Sequence, residues 1–430
     1  MGRGCRSILR AVPASAVPTP DVTVSRSATE PALVCGRCGS RSAPGRAFWC
    51  ATCGRQGTFS YERTPNRRLR DLVEGGRSQS GIWSWGDLLP AVGSSAITLG
   101  EGDTPLLPSR VAGPALRLES LFLKVEGTNP SGSFKDRFQA VSISVALHQG
   151  FRSVFCVSTG NHGVACATYA RRAGLDCVVL LHEEAPESFA EACAVLGATV
   201  ARVPASERDD LMEQLFADGW FPATCMAPFP IPNPYGIEGY RTIAYEVTRD
   251  ATREIDAMIV PVGAGDGYAG VARGYRDLVA VGALDRPPRI IATQPIGADP
   301  LVRATAAGED FVPDLGETAP SIALSIRERE SSQMSRRVMR EVGGDAIAVT
   351  DDAILRAAAL LADEGLLVDV ASSASVAAAG VLVEEGRLKR DAAIVALLTA
   401  SGARWPRPSS YQFAGRILRG RAADLRRLIL

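Results

Sequence analysis

Residues 153–173 read SVFCVSTGNHGVACATYARRA, and the fold is decided here. SVFCVS is a short apolar run rich in β-branched and aromatic residues, which predicts a strand over 153–158. Thr159-Gly160-Asn161-His162-Gly163 is a glycine-bearing turn, and the alanine-rich continuation predicts a helix running to Ala173. The same order of strand, turn and helix returns along the chain. Further strands are predicted over 175–181, 199–203, 257–262, 289–293 and 392–398, with helices over 188–196 and onward from Tyr268. Continuous apolar strands alternating with helices require parallel sheets covered on both faces, so the fold class is α/β. Ligands of such folds sit at the carboxyl ends of the strands, where the glycine-rich turns lie.

The chain has 430 residues, enough for about two to three domains. Its 47 basic and 47 acidic side chains cancel, which excludes the basic excess of a protein held on phosphate backbones; no nucleic-acid partner is expected. No apolar run approaches the roughly 20 residues that cross a bilayer, so no membrane partner is expected either. Only three of the basic residues are lysines: Lys124, Lys135 and Lys389. Codon bias accounts for the ratio, yet it makes each surviving lysine worth examining.

Cys35, Cys38, Cys50 and Cys53 form two C-x-x-C knuckles, each followed by glycine, with eleven residues between the inner cysteines. Each knuckle can turn two thiolates onto one ion, which points to a tetrahedral zinc ribbon over 31–57; a surviving disulfide pair or an emptied ribbon is the alternative. The other cysteines are scattered singly as small core fillers, in keeping with a reducing, cytoplasmic setting. Residues 1–30 are arginine-bearing and acid-poor without a continuous apolar segment. They read as a disordered tail and are also compatible with an organelle transit peptide. Residues 58–100 form an N-terminal extension predicted to hold a strand and a helix. Residues 101–406 carry the main α/β region, with a smaller subdomain inserted at roughly 140–235. Residues 407–430 read as a basic amphipathic covering helix.

Four segments carry chemistry. In EGTNPSGSFKDR, residues 126–137, Lys135 opens a helix near its positive end, which favours the uncharged amine that forms Schiff bases. Lys124 has apolar neighbours and Lys389 lies in a solvated run, so Lys135 is the reactive candidate; a surface pair with Asp136 is the alternative. In STGNHG, residues 158–163, backbone N–H groups converge at a helix start and can hold a carboxylate. Asn161 there is either a donor to a phenolate oxygen or an Asx cap. Gly263-Ala264-Gly265-Asp266-Gly267 lets the main chain wrap a phosphate at a helix N-terminus, although a glycine-rich turn alone is a weak signal. Asp266 is the oddity, expected to turn away from the anion. In LLTASG, residues 397–402, Thr399 ends a strand with a hydroxyl rather than a carboxylate.

In this order the segments resemble the threonine synthase branch of the fold type II pyridoxal-phosphate enzymes. EGDTPL at 101–106 is similar to the family's opening motif, and NPYGIEGYRTIAYEV at 233–247 and VDVASSASVAAAGVL at 368–382 fit as well. The resemblance covers roughly residues 99–406 and implies two parallel-sheet subdomains, tryptophan synthase β-like, behind the small zinc ribbon. It implies pyridoxal 5'-phosphate as cofactor, borne by Lys135, with Asn161 beside its phenolic oxygen, residues 263–267 around its phosphate and Thr399 at its pyridine nitrogen. Ser133, Ser158, Thr159 and His162 fall on the substrate side. The implied partner is a small amino acid, with a homodimer by family analogy. The implied reaction converts O-phosphohomoserine, or a related amino acid with a leaving group, by elimination and water addition. The alternatives are a serine/threonine dehydratase or a β-replacement enzyme, or a zinc-ribbon interaction protein without activity. Departures at Phe138, Gln139, His162, Asp369, Val370, Ala400 and Ser401 are read as gathering on the substrate side.

Overall fold

The computed structural model describes residues 30–75, 80–90, 92–226 and 231–406. The tail expected over 1–30, except Glu30, and the helix expected over 407–430 lie outside the described residues.

The larger sheet has six strands in the order Asp345–Val349, Arg289–Pro295, Ala257–Pro261, Ala393–Leu398, Ser120–Val125 and Leu106–Pro108. All neighbours run parallel except the edge strand Leu106–Pro108. The apolar runs are explained by burial on both faces. Along Ala393–Leu398, Ala393, Val395 and Leu397 enter one core, while Ile394, Ala396 and Leu398 enter another. A strand with no solvent face cannot show polar alternation. The smaller sheet orders Phe221–Pro222, Ser153–Ser158, Asp176–His182 and Thr199–Val203, all parallel. Helices Lys135–His148, Asn161–Ala173 and Glu187–Val195 share a core with one face of it, and Met212 of Ala205–Ala217 packs on the other.

The four cysteines sit in an antiparallel sheet ordered Arg41–Ser42, Ala32–Cys35, Gly54–Glu62 and Trp49–Cys50. The closing strand runs past residue 57 to Glu62 because it pairs with Ala32–Cys35 along its far half. Its end is anchored in the main body. The Tyr61 carbonyl accepts from Arg273 at 2.6 Å, Glu62 pairs with Arg273 at 3.1 Å, and Arg63 reaches Asp277 at 3.2 Å. The helix expected in the extension is Arg67–Gly75.

Strand Ser120–Val125 was hidden in the sequence by Lys124. That ammonium is fully buried, donating to Glu246 at 2.8 Å and to the Thr104 carbonyl at 2.7 Å. Arg137, also fully buried, forks onto Glu126 at 2.7 and 2.8 Å and onto Glu246 at 2.6 and 2.7 Å. Two cations and two carboxylates thus neutralise one another away from water. Burial pushes the Glu246 carboxyl up, but Arg137 and Lys124 outweigh this and hold it at about 2. Gly239 makes room for the cluster, since a Cβ there would lie 2.0 Å from the Arg137 carbonyl oxygen.

Replacing Arg137 with Met strands two buried carboxylates on the single charge of Lys124. We expect a loss of about 3–5 kcal/mol in urea unfolding at neutral pH. In the intact protein, the depressed Glu246 pKa stabilises the fold fully above about pH 4.3, and this contribution fades as pH falls toward about 2. The Met variant's deficit should narrow as the medium is acidified toward pH 4, because protonation relieves its stranded acids while the intact protein keeps most of its own contribution. A deficit that is constant from pH 7 to 4 would contradict this account.

Candidate active site

A cleft of about 1080 Å³ opens where the carboxyl ends of both sheets meet, as expected of α/β folds. Lys135, Ser158, Thr159, Asn161, His162, residues 263–267 and Thr399 all line it. Segments up to 264 positions apart in sequence, from Lys135 to Thr399, therefore converge on one space. Ser133 does not line the cleft; it is fully buried, bridges to Ala400, and its hydroxyl has no hydrogen-bond partner.

Lys135 begins helix Lys135–His148, with its Nζ 4.7 Å from the Phe134 ring centre and 5.7 Å from that of Tyr240. Asp136 does not take up its charge. That carboxylate accepts the Ser131 N–H at 2.6 Å and the Ser131 hydroxyl, and burial pushes its pKa up to about 7. The lysine loop is zipped to the threonine loop: Phe134 N–H donates to the Thr399 carbonyl at 2.9 Å, and Ser401 N–H to that of Gly132 at 2.8 Å. Lys135 and Thr399 are thus held in one register.

Ser158 Oγ accepts the N–H groups of Gly160 and Gly163, each at 2.8 Å, so this hydroxyl shapes the turn. Asn161 opens helix Asn161–Ala173 and donates from Nδ2 to Asp369 at 3.4 Å. Burial, then repulsion from Lys135, lowers the His162 pKa to about 3. The ring is neutral. Its Nε2 lies 3.0 Å from the Ala223 carbonyl and must carry the proton there, which leaves Nδ1 as an unpartnered acceptor. Gln139 donates to the same carbonyl at 2.9 Å, and Phe138 meets the imidazole edge-on at 5.0 Å.

Gly265 has φ +98°, and a Cβ there would lie 2.5 Å from that of Ser335. At Gly267 a Cβ would lie 2.6 Å from the Phe134 ring. Helix Asp266–Ala280 starts in this bare loop. Ser331 braces it by donating to the Gly263 carbonyl at 2.7 Å, as does the Ser332 N–H to that of Ala264 at 2.7 Å. Asp266 is buried in the cleft wall, where its carboxylate accepts the Cys225 thiol at 3.0 and 3.2 Å. Thr399 Oγ1 lies 2.9 Å from Ser372 Oγ.

Sequence reading missed the supporting residues Ser325, Ser331, Ser332 and Ser372. It met Asp369 and Gln139 only as departures, and Asp369 lies against Asn161 rather than purely on the substrate side.

Residues 97–400 match the family described as pyridoxal-phosphate dependent enzyme. The chain belongs to this family. Within these pyridoxal-phosphate dependent enzymes it falls in the threonine synthase-like branch of fold type II. The threonine synthase of Methanocaldococcus jannaschii is 31% identical over 381 residues, covering 86% of this chain and 92% of that protein. That of Mycobacterium tuberculosis strain H37Rv is 33% identical over 336 residues, covering 76% and 88%. Among solved structures, maize serine racemase superposes with a TM-score of 0.60 at 25% identity, covering 75% of this chain and 93% of that one.

The cleft fits the family's cofactor. A loop kept bare by Gly265 and Gly267 at a helix N-terminus suits a phosphate, and an amine, an amide and a hydroxyl surround the space beside it. Gly265→Ala forces a strained φ and a clash with Ser335. We expect pyridoxal phosphate to bind about 5- to 150-fold more weakly, read by fluorescence titration of stripped protein, because strain of about 1–3 kcal/mol falls on the loop.

The four ribbon thiols lie within 4.8 Å of one another, with Cys38 and Cys50 Sγ 3.7 Å apart. All four are free thiols. At Gly57 a Cβ would come within 2.8 Å of the Cys35 sulfur. Thiolates at about 2.3 Å from one tetrahedral zinc would be spaced by nearly the observed amount.

Proposed function

We propose that this pyridoxal-phosphate dependent lyase removes a leaving group from a small amino acid, with Lys135 as cofactor anchor and general base. The observation that carries the reading is the convergence of Lys135, Asn161, the bare 263–267 loop and Thr399 on one cleft. When bound, pyridoxal phosphate supplies the electron sink that makes the Cα proton of an amino acid removable. Lys135 Nζ, unpaired by Asp136 and flanked by two aromatic rings, takes that proton from Cα and returns it later. Asn161 would donate to the cofactor's phenolic oxygen and backbone N–H groups of residues 263–267 would hold its phosphate. Thr399, a neutral hydroxyl, would leave the ring nitrogen unprotonated, which favours prompt loss of a leaving group. Thr159 and the turn shaped by Ser158 receive the substrate carboxylate, with neutral His162 alongside, while the buried Ser133 braces the lysine loop against Ala400.

The resemblance to threonine synthases makes O-phosphohomoserine the first substrate to test. A specific observation favours the second reading, a dehydratase or β-replacement enzyme acting on an unphosphorylated amino acid. Seven carboxylates and four cations line the cleft. Three of the four cations are already paired with carboxylates, Arg208 with Asp209 at 3.3 Å, Arg327 with Glu184 at 2.5 Å and Arg329 with Asp314 at 3.5 Å. Burial, then the hydrogen bond and the like charge of Asp314, push Glu330 up to about 7. A second phosphate dianion is poorly met by such walls.

Incubation with O-phosphohomoserine should release phosphate and threonine on the first reading. Release of neither, together with keto acid or a β-substituted alanine from serine, establishes the second. Borohydride reduction should fix the cofactor's mass on the peptide containing Lys135, and Lys135→Ala should lower turnover by at least about a thousandfold, near the upper range of general-base contributions. Turnover retained by that variant overturns both readings. For the ribbon, we propose that Cys35, Cys38, Cys50 and Cys53 hold one structural zinc. Metal analysis should find about one zinc per chain, lost from Cys35→Ser/Cys38→Ser protein.

A further inference from the structure

Asp369 is 3% exposed and opens the turn Val370–Ser373 of the larger subdomain. One oxygen caps its own turn, accepting the Ala371 N–H at 3.1 Å. The other accepts from two side chains: the Ser325 hydroxyl at 3.1 Å and the Asn161 amide at 3.4 Å. Asn161 belongs to the smaller sheet's helix, so this contact crosses the cleft. A carboxylate can only accept, which settles the Asn161 amide one way round. With the amide flipped, its carbonyl oxygen would face the carboxylate and both would be repelled. Held this way, one Nδ2 hydrogen points to Asp369 and the other is left to the cleft.

The same turn sets the proton on Thr399. Ser372 Oγ accepts the Ala400 N–H at 3.0 Å, and its own proton has Thr399 Oγ1 at 2.9 Å as the best acceptor, against 3.4 Å to the Ala400 carbonyl. When Ser372 donates to Thr399, the Thr399 proton is free to point into the cleft. One four-residue segment therefore directs a hydrogen-bond donor at each of the two polar edges expected of the cofactor ring.

We propose that Asp369, supported by Ser372, is a positioning residue that orients Asn161 as a donor to the cofactor's phenolic oxygen. The inference rests on the cofactor reading above. Neither residue touches the reacting atoms. Asp369→Asn removes the one-way acceptor: the new amide accepts from Asn161 or donates to it, and the orientation is no longer fixed.

The test is the pH titration of visible absorbance in the cofactor-loaded protein. A phenolic oxygen that loses an oriented donor holds its proton more tightly, so the midpoint of Asp369→Asn should rise by about one pH unit. Removing a negative charge without any orienting role would move the midpoint the other way. The other charged groups that line this part of the cleft, Lys135, Arg208, Asp266, Arg327 and Glu328, are unchanged by the substitution. Asp369→Glu keeps an acceptor-only partner and should return the midpoint to the parent value. Ser325→Ala provides a second measurement, should Asp369→Asn not fold. It removes a bond that holds the carboxylate facing Asn161, so the amide is less firmly oriented and the midpoint should rise. A lowered or unmoved midpoint in either variant overturns the proposal. Failure of the cofactor reading is distinguishable, because the parent protein would then take up no pyridoxal phosphate and show no visible band.

Discussion

The cleft depends on the neutralisation of Lys124, Glu126, Arg137 and Glu246 away from water. Each member comes from a different place: the strand Ser120–Val125, the turn after it, the lysine helix and the helix Arg241–Asp250. Removing one partner from such a set leaves a buried charge uncompensated, so each of the four elements is strongly favoured to pack with the other three. Residues two apart on a helix point roughly 200° apart. Arg137, forked onto two carboxylates, therefore fixes the rotation of its helix and turns Lys135 the opposite way, into the cleft. The reactive amine is aimed by a charge that never meets the substrate.

Position along the chain is fixed by a second device. Backbone hydrogen bonds join the loops at Phe134–Thr399 and Gly132–Ser401, so amine and hydroxyl cannot slide past each other. On the remaining side the glycine loop is pinned by Ser331 and Ser332, and the Asn161 turn by Ser158. Nearly every polar group around the cofactor space is thus held by a neighbour that lies outside it. Preorganisation of this kind removes the cost of ordering the site when a ligand arrives. It also explains why so many of the supporting groups are serines. A hydroxyl both donates and accepts, so it can link a backbone carbonyl to an N–H in a small space.

The ribbon is built into the body rather than tethered to it. Phe48 packs edge-on against Phe221 of the smaller sheet at 5.4 Å, and Tyr235 hydroxyl exchanges 2.6 Å hydrogen bonds with the Gly45 main chain. A second buried charge set, Arg241 with Asp277 and Arg273 with Glu238, holds the end of its closing strand through the Tyr61 carbonyl. A boundary at residue 57, drawn where the cysteine spacing ends, misses this. Metal-ligand spacing marks where thiols converge and carries no information about how far a strand continues.

The legible parts of the sequence were those with local causes. Strand 153–158 and the start of its helix follow from apolar run and glycine turn, and the observed bounds agree. Strand Ser120–Val125 failed that test because its interior lysine looks like a solvent mark, and the partner that makes it a core residue lies 122 positions away. Asp369 and Ser372 were opaque for the same reason: a short polar side chain in a small-residue run has no meaning until Asn161 and Thr399 are brought to it. The scarcity of lysine was nonetheless informative. Two of the three lysines are in places that arginine fits poorly. Lys135 needs an amine that can lose its proton, which a guanidinium does not. Lys124 donates at 2.7 and 2.8 Å to a carbonyl and a carboxylate in a fully buried site already filled by the Arg137 fork. A second planar guanidinium would overfill that space, whereas a compact ammonium balances the charge within it. Where arginine supplies almost every other cation, these two positions retained lysine for opposite reasons, one for reactivity and one for size.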